Sequence, residues 1–448
     1  MGRLFGTDGI RGVANKELTA ELALNLGKVL YKRQEANNDQ EDFEQGLFLI
    51  ARDTRISGHM LENAVTAGLL ATGARVASLG VLPTPAVPYL LKKHKAAAGI
   101  MLTASHNPSE YNGIKVFGAD GRKLPDALED EIEWRLLRGI LPRCDEVGSL
   151  AFWDCREEYV DFLRASSPAS LNGLRIGVDC ANGAASATAK ILFESLGASV
   201  HSIGDCPDGY NINDDAGSLH PEKLQKLVVE NKLDLGFAFD GDGDRVLAVD
   251  EHGKIVDGDK ILAICALDRK MRGELLGDTL VATVMSNFGL SVFCRENSIH
   301  LRTTKVGDRY VLDELLAGGY SLGGEQSGHI IFTEFSTAGD GQLSALQLLG
   351  VVQTQGKPLS ELAKVMSSYP QVLKNIPVSQ LGKLRLSDDE EIATAQKQAQ
   401  KILGGDGRVL LRASGTEPLV RVMVEGLDGK LIATIAAELE EVVKRQLL

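Results

Sequence analysis

Aromatic side chains are scarce in this chain. Two tryptophans, eight tyrosines and 13 phenylalanines among 448 residues leave few platforms on which bases could stack. Basic residues are the minority of the charges: 48 lysines and arginines face 61 aspartates and glutamates, a formal net charge of −13. Nucleic-acid binders neutralise phosphates with a basic surface, so this balance argues against one. No apolar run approaches the ~18 or more residues that a membrane helix needs, and residues 1–7 lack a basic-then-apolar leader pattern. No membrane partner is expected. The six cysteines (Cys144, Cys155, Cys180, Cys206, Cys265 and Cys294) form no Cys-x-x-Cys pair. That fits reduced thiols and a cytoplasmic location better than disulfides or zinc.

What is present is ordinary globular composition, 44% hydrophobic and 24% charged, which rules out disorder as a description of the whole. The length exceeds what one hydrophobic core sustains and sets a prior of about three domains. Glycine is enriched, at 48 residues, so glycine turns that approach ligands are worth seeking.

Strands alternating with amphipathic helices point to a largely parallel α/β architecture. Thr19 caps a helix whose Leu22, Leu26, Val29 and Leu30 recur at helical spacing. An apolar strand at 47–51 precedes a helix opening at Ser57, and 98–102 is a second buried strand. Residues 166–170 read as a linker. The alternation restarts with a strand at 174–178, a helix near 184–196, and a helix with Pro221 at its first position. Breaks fall at 257–259 and near 367–370. The last ~80 residues differ, with strands around 409–411 and 419–424 and a terminal helix. The first three segments echo one another weakly: a strand, a polar cluster, then a hairpin. Ligands gather at the carboxyl ends of strands in α/β sheets, so the three polar clusters are expected to face one cleft.

Four loops carry groups suited to chemistry. Thr103-Ala104-Ser105-His106-Asn107-Pro108 places serine beside histidine, but side chains diverge on an extended backbone and no triad results. On local pattern it reads equally well as a polar turn before Pro108. Asp240-Gly241-Asp242-Gly243-Asp244-Arg245 sets three carboxylates at alternate positions, which favours a hard divalent cation. An EF-hand starting at Asp240 fails, because its sixth position is Arg245 where glycine is needed and the flanks read as strands. Magnesium suits the site better than calcium. Gly323-Gly324-Glu325-Gln326-Ser327-Gly328-His329 offers groups that read sugar hydroxyls, or is a plain polar loop. Arg412-Ala413-Ser414-Gly415-Thr416-Glu417-Pro418, with Arg421, forms a phosphate cradle or a hairpin tip. It lacks the Walker lysine pattern.

Taken together, these loops resemble the α-D-phosphohexomutase superfamily, in family order and one per segment. Finer features are similar to the branch acting on glucosamine phosphates: 5–12, Gln326 and Val306-Gly307-Asp308-Arg309. The resemblance implies four domains around a central cleft: three similar mixed or parallel α/β domains and a smaller C-terminal α+β domain. Their expected bounds are 1–168 (phosphoserine), 169–257 (metal), 258–369 (sugar) and 370–448 (phosphate). It implies interconversion of glucosamine 6-phosphate and glucosamine 1-phosphate, feeding UDP-N-acetylglucosamine synthesis. The alternatives are a mannose- or glucose-phosphate mutase and a non-catalytic sugar-phosphate sensor.

By the same resemblance Ser105 is carried as phosphoserine, and the sugar passes through a bisphosphorylated intermediate. Ser105, Asp240, Asp242 and Asp244 would hold one Mg²⁺ per chain. Lys115 and Arg11 would be catalytic, with Lys115 a proton acceptor if neighbouring cations depress its pKa. Arg245, Glu325, Ser327, His329, Arg412, Ser414, Gly415, Thr416 and Arg421 would bind substrate. The oligomeric state stays open, a homodimer being compatible.

Overall fold

A computed structural model describes residues 4–6, 8–30, 44–142, 144–414 and 418–448. The chain forms two compact units: Met1–Met285 with Ile299–Val365, and Ser286–Ser298 with Met366–Leu448. No helix among the described residues is long and apolar enough to cross a membrane.

The weak echo in the sequence is a strict repeat of topology. In the first sheet Glu44–Arg52 lies between the parallel strands Arg75–Val81 and Ala96–Leu102, and Tyr111–Gly118 runs antiparallel to the last. In the second, Arg175–Asp179 lies between Ser199–Ile203 and Leu235–Phe239, with Val246–Asp250 antiparallel. In the third, Thr279–Thr283 lies between His300–Thr304 and Leu322–Gly324, with Ile330–Phe332 antiparallel. Each of the three polar loops therefore joins the third strand of the repeat to the fourth, antiparallel one. The apolar runs are explained by burial: the central strands carry helices on both faces, so Leu49, Ile50, Ile176, Val178, Val281 and Ala282 are enclosed on either side. The first sheet gains three strands, Phe5–Gly6, Gly9–Val13 and Ser149–Phe152.

Most expected elements stand within a residue or two. Thr19 Oγ1 accepts the Leu22 N–H at 3.1 Å, capping Ala20–Leu30. Three expectations are corrected. The helix near 184–196 is two pieces, Ala184–Ala187 (3-10) and Ala189–Ser195, because Thr188 leaves helical geometry. Pro221 precedes the helix Glu222–Glu230 rather than opening it. The break at 257–259 is a helix start, with the Asp257 carboxylate accepting the Lys260 N–H at 3.1 Å.

The second unit is a three-stranded antiparallel sheet with Leu419–Gly426 central, flanked by Gly407–Ala413 and Gln371–Pro377. Helices Glu390–Leu403 and Gly429–Leu447 close its core around Val420, Val422, Ile435 and Leu439. The segment Ser286–Ser298 joins this unit: Glu425 accepts the Phe288 N–H at 3.1 Å, and Asn287 accepts the Tyr369 N–H at 2.9 Å.

Candidate active site

Strand ends bring two of the sequence loops into contact. Ser105 follows Ala96–Leu102 and is almost wholly buried; Asp240 follows Leu235–Phe239. The Ser105 hydroxyl donates to Asp240 Oδ2 at 2.6 Å. Two glycines permit this approach. A β-carbon on Gly241 would stand 2.5 Å from the Ser105 carbonyl oxygen, and Gly243 turns the loop with φ +71°. Ser105 itself has φ +52°, not the extended backbone read from the sequence. Its Oγ consequently comes within 3.4 Å of His106 Nδ1. That nitrogen also faces Arg245 Nη1 at 3.2 Å, and burial with the charges of Arg245 and Arg11 pushes the imidazole down to about 4. His106 is thus a neutral neighbour of Ser105, and no triad forms.

Asp240, Asp242 and Asp244 are all buried, and one carboxylate oxygen of each lies within 4.8 Å of the others. Asp242 Oδ2 accepts from Lys115 Nζ at 2.8 Å and from Thr84 Oγ1 at 2.6 Å. Oδ1 of Asp242 and Oδ1 of Asp244 have no hydrogen-bond partner among the described residues. Burial raises the Asp240 carboxyl well above the carboxylate range, and repulsion from Asp244 and Asp242 adds to it. Burial acts the same way on Asp244, but Lys115, His329 and Arg245 more than reverse it. Three converging carboxylates with two orphaned oxygens fit a hard divalent cation, as oxygen ligands do for Mg²⁺ or Ca²⁺.

Lys115 sits under this cluster. Burial lowers its pKa, but Asp242, Asp244 and Asp8 outweigh burial, so the ammonium is held above the ordinary lysine range. The condition for a proton-accepting Lys115, depression by neighbouring cations, is not met here: its closest partners are carboxylates. Arg11 lies opposite Gly113 on the adjoining strand and pairs with Asp8 at 2.7 Å. Arg245 donates its backbone N–H to Asp240 Oδ1 at 3.2 Å, and its Nε lies 3.8 Å from Asp244.

The third loop approaches through His329, whose Nδ1 is 3.6 Å from Asp244 and whose Nε2 is 3.7 Å from Asp308. Burial lowers this imidazole's pKa, but Asp244, Asp308 and Glu325 bring it up to about 9. The Gly339 N–H, 3.1 Å from Nε2, favours the neutral ring, and the three carboxylates outweigh it. Glu325 accepts the Gly307 N–H at 3.1 Å and, weakly, the Ser327 hydroxyl at 3.4 Å. A cavity of about 440 Å³ opens beside Lys115, Asp244, Asp308 and His329.

Sequence reasoning missed several supporting residues. Lys123 bridges Asp8 to both oxygens of Asp308 (2.9 and 2.7 Å), and Thr84 holds Asp242. Arg55, wholly buried, grips the serine loop from below. The one available signal was Asp53-Thr54-Arg55, an acid and a base two apart at the end of a buried strand.

In the second unit Arg412 and Arg421 face each other across adjacent strands. Like charges so placed repel, and burial together with Arg421 lowers the Arg412 pKa. An anion between them would relieve this. Ser414 is buried and donates its N–H to the Leu419 carbonyl at 2.9 Å. Gly415 and Thr416 lie outside the described residues.

Comparison with known proteins covers nearly the whole chain. Residues 2–140, 157–253 and 257–369 match the phosphoglucomutase/phosphomannomutase alpha/beta/alpha domains I, II and III, and 373–442 match the C-terminal domain of that family. Two curated relatives, both named phosphoglucosamine mutase, are 50% identical over 100% of each chain: one from Thermoanaerobacter sp. (strain X514), one from Acetivibrio thermocellus. A crystal structure of a phosphoglucomutase/phosphomannomutase family protein from Burkholderia thailandensis superposes with a TM-score of 0.84 at 26% identity, covering 100% of this chain and 98% of that one. The N-acetylphosphoglucosamine mutase of Aspergillus fumigatus shares the fold, with a TM-score of 0.71 at 17% identity over 99% and 96% of the two chains.

Proposed function

The chain belongs to the phosphoglucomutase/phosphomannomutase family, and from that premise we propose that it interconverts glucosamine 6-phosphate and glucosamine 1-phosphate, with Ser105 as the phosphoryl carrier. It is a phosphosugar mutase. The amino sugar is supported by the full-length relatives named phosphoglucosamine mutase.

The carrying observation is the 2.6 Å contact of Ser105 Oγ with Asp240 inside a buried cluster of three aspartates and Lys115. Phosphoryl transfer asks the protein for positioning and charge neutralisation more than for bond-making. Phosphorylated Ser105 gives its phosphoryl group to the free sugar hydroxyl: the P–Oγ bond breaks, a P–O bond to the sugar forms, and the proton lost by the sugar hydroxyl ends on the departing Ser105 Oγ, which becomes a hydroxyl again. The bisphosphorylated sugar then reorients, and its other phosphoryl group returns to the Ser105 hydroxyl. Asp240, Asp242, Asp244 and a Ser105 phosphate oxygen would hold Mg²⁺, which when bound offsets negative charge on the transferring group. Lys115, as an ammonium, and Arg11 stabilise the equatorial oxygens. Glu325, Ser327 and His329 read the sugar, with Arg245 beside the transferring group. Ser414, Gly415 and Thr416 with Arg412 and Arg421 grip the phosphate that is not reacting.

The test compares turnover on glucosamine, glucose and mannose 1-phosphates, with intact-mass measurement of parent and Ser105→Ala. Expected are preference for the amino sugar, a phosphoryl increment on the parent alone, and no turnover by the variant. Full activity of Ser105→Ala would end the phosphoserine reading. Preference for glucose or mannose would move the specificity to a sister mutase.

A further inference from the structure

We infer that Arg55, assisted by Asn213, is the positioning residue that fixes Ser105 for phosphoryl transfer, an inference resting on the carrier role proposed for Ser105. Arg55 touches neither cavity nor solvent. A guanidinium has five N–H donors in a planar fork, and all five are engaged. Nε donates to Asp53 Oδ2 at 2.9 Å. Nη1 donates to the carbonyls of Pro108 and of Tyr111, the latter at 2.9 Å. Nη2 donates to the carbonyls of Ser105 at 3.0 Å and Asn107 at 2.8 Å. Four of the five acceptors are therefore main-chain oxygens of the serine loop or its exit.

That grip has something to hold. Ser105 has φ +52°, a left-handed backbone that a residue with a β-carbon adopts at a cost and keeps only when its surroundings over-determine it. The amino side is fixed by the same system: Ser105 N–H donates to Thr103 Oγ1 at 2.8 Å, and Thr103 Oγ1 donates to Asp53 Oδ2 at 2.7 Å. From the second sheet's side, Asn213 Nδ2 donates to the same two carbonyls as Arg55 Nη2, Ser105 at 2.9 Å and Asn107 at 3.0 Å. Asn213 is itself left-handed, with φ +59°. The Ser105 peptide is thus clamped between a side chain of the serine segment and one of the aspartate segment, against the bare Cα of Gly241. This geometry sets where Oγ stands relative to Asp240. Lysine cannot replace the fork, having three donors on one nitrogen and no plane.

In-line transfer is sensitive to ångström displacements of the reacting atom, a 1 Å error costing about a hundredfold. Arg55→Lys should therefore lower kcat about a hundredfold, and Asn213→Ala, at a half-buried position, about tenfold. KM should stay at the parent value, because neither residue faces substrate. The experiment phosphorylates parent and variants with glucose 1,6-bisphosphate, measures phosphoryl content by intact mass, and normalises kcat to phosphorylated protein. A ³¹P spectrum then reads the phosphoserine resonance, expected to shift toward that of free phosphoserine in the variants. A simple loss of folded protein would lower phosphoryl content and leave the normalised kcat unchanged; that result overturns the inference. So does a raised KM with parent kcat, or an Asn213→Ala protein equal to the parent in kcat and ³¹P shift. A parent that takes up no phosphoryl group would instead sink the carrier role of Ser105, a separate failure.

Discussion

Lys115 Nζ lies 2.8 Å from Asp242 Oδ2, both side chains essentially without solvent. A divalent cation held by Asp240, Asp242 and Asp244 would compete with this ammonium for one carboxylate cluster. We predict that Lys115→Met loses at least about a hundredfold in kcat/KM, since fixed charges aimed at the reacting group contribute most to catalysis of this kind. Without metal the variant should also be less stable by about 3–5 kcal/mol, the usual result of stranding one partner of a buried pair. Metal affinity should move the other way and tighten, because a repelling charge has gone. Titration calorimetry with Mg²⁺ decides it: weaker binding by the variant would mean that Lys115 supports the metal site rather than competing with it.

The identity of the ion is a second prediction. Mg²⁺ demands compact octahedral geometry, whereas Ca²⁺ accepts longer and looser coordination. Calcium should therefore bind the Asp240–Asp242–Asp244 cluster, compete with magnesium, and support little turnover. Asp242→Asn should weaken both the metal dependence and the rate. Equal turnover under the two ions in a steady-state assay would speak for a merely structural cation.

A third prediction concerns pH and a residue away from the chemistry. Asp340 is buried at the start of Gly341–Gln355, where it accepts the Leu343 N–H at 3.0 Å and the Tyr159 hydroxyl at 2.8 Å. Burial raises its pKa to about 6 despite those bonds. The folded chain then holds a proton that the unfolded chain, titrating near 3.8, has already lost. Stability from this group is present below about pH 4 and falls as pH rises to about 6, by about 3 kcal/mol in all. Asp340→Asn cannot titrate; its amide oxygen keeps the Leu343 contact, and its amide nitrogen faces the Tyr159 oxygen as a donor, as the hydroxyl of a protonated Asp340 would. Urea melts at pH 4.5 and pH 7 should show a smaller pH-dependent loss in the variant, and equal losses would place Asp340 outside the effect.

What the sequence made legible follows physical rules. Apolar runs marked the central strands because both their faces are covered, and the aspartate loop was readable because three adjacent carboxylates have few other reasons to exist. The edge strand Gln371–Pro377 was not readable: only Ile376 is buried and Lys374 and Asn375 interrupt any pattern. Arg55 offered only its spacing from Asp53 as a signal, for a different reason. Its other four acceptors are main-chain carbonyls 50 to 56 residues away, and a carbonyl leaves no signature in a sequence. The left-handed backbone of Ser105 was equally hidden, since serine has no preference that announces it.

The last prediction concerns Arg421, assigned to the phosphate that does not react. A group in that role does no chemistry; its binding energy positions the reacting end. A charge-assisted contact contributes roughly 1.5–3 kcal/mol, about ten- to a hundredfold. Arg421→Ala should lower kcat/KM by that factor and leave Mg²⁺ affinity unchanged. Equal loss in both reaction directions is uninformative, because the overall equilibrium requires it. The informative control is inhibition by a substrate analogue lacking the non-reacting phosphate. Parent and variant should bind this analogue alike, because the guanidinium then has no ligand group to lose. Arg412 strengthens the design: it stands opposite Arg421 across the strand pair, so a phosphate bridging both would make the two substitutions non-additive. If the penalty persists with the phosphate absent from the ligand, Arg421 acts through the packing of its own sheet, and the assignment to the remote phosphate is wrong.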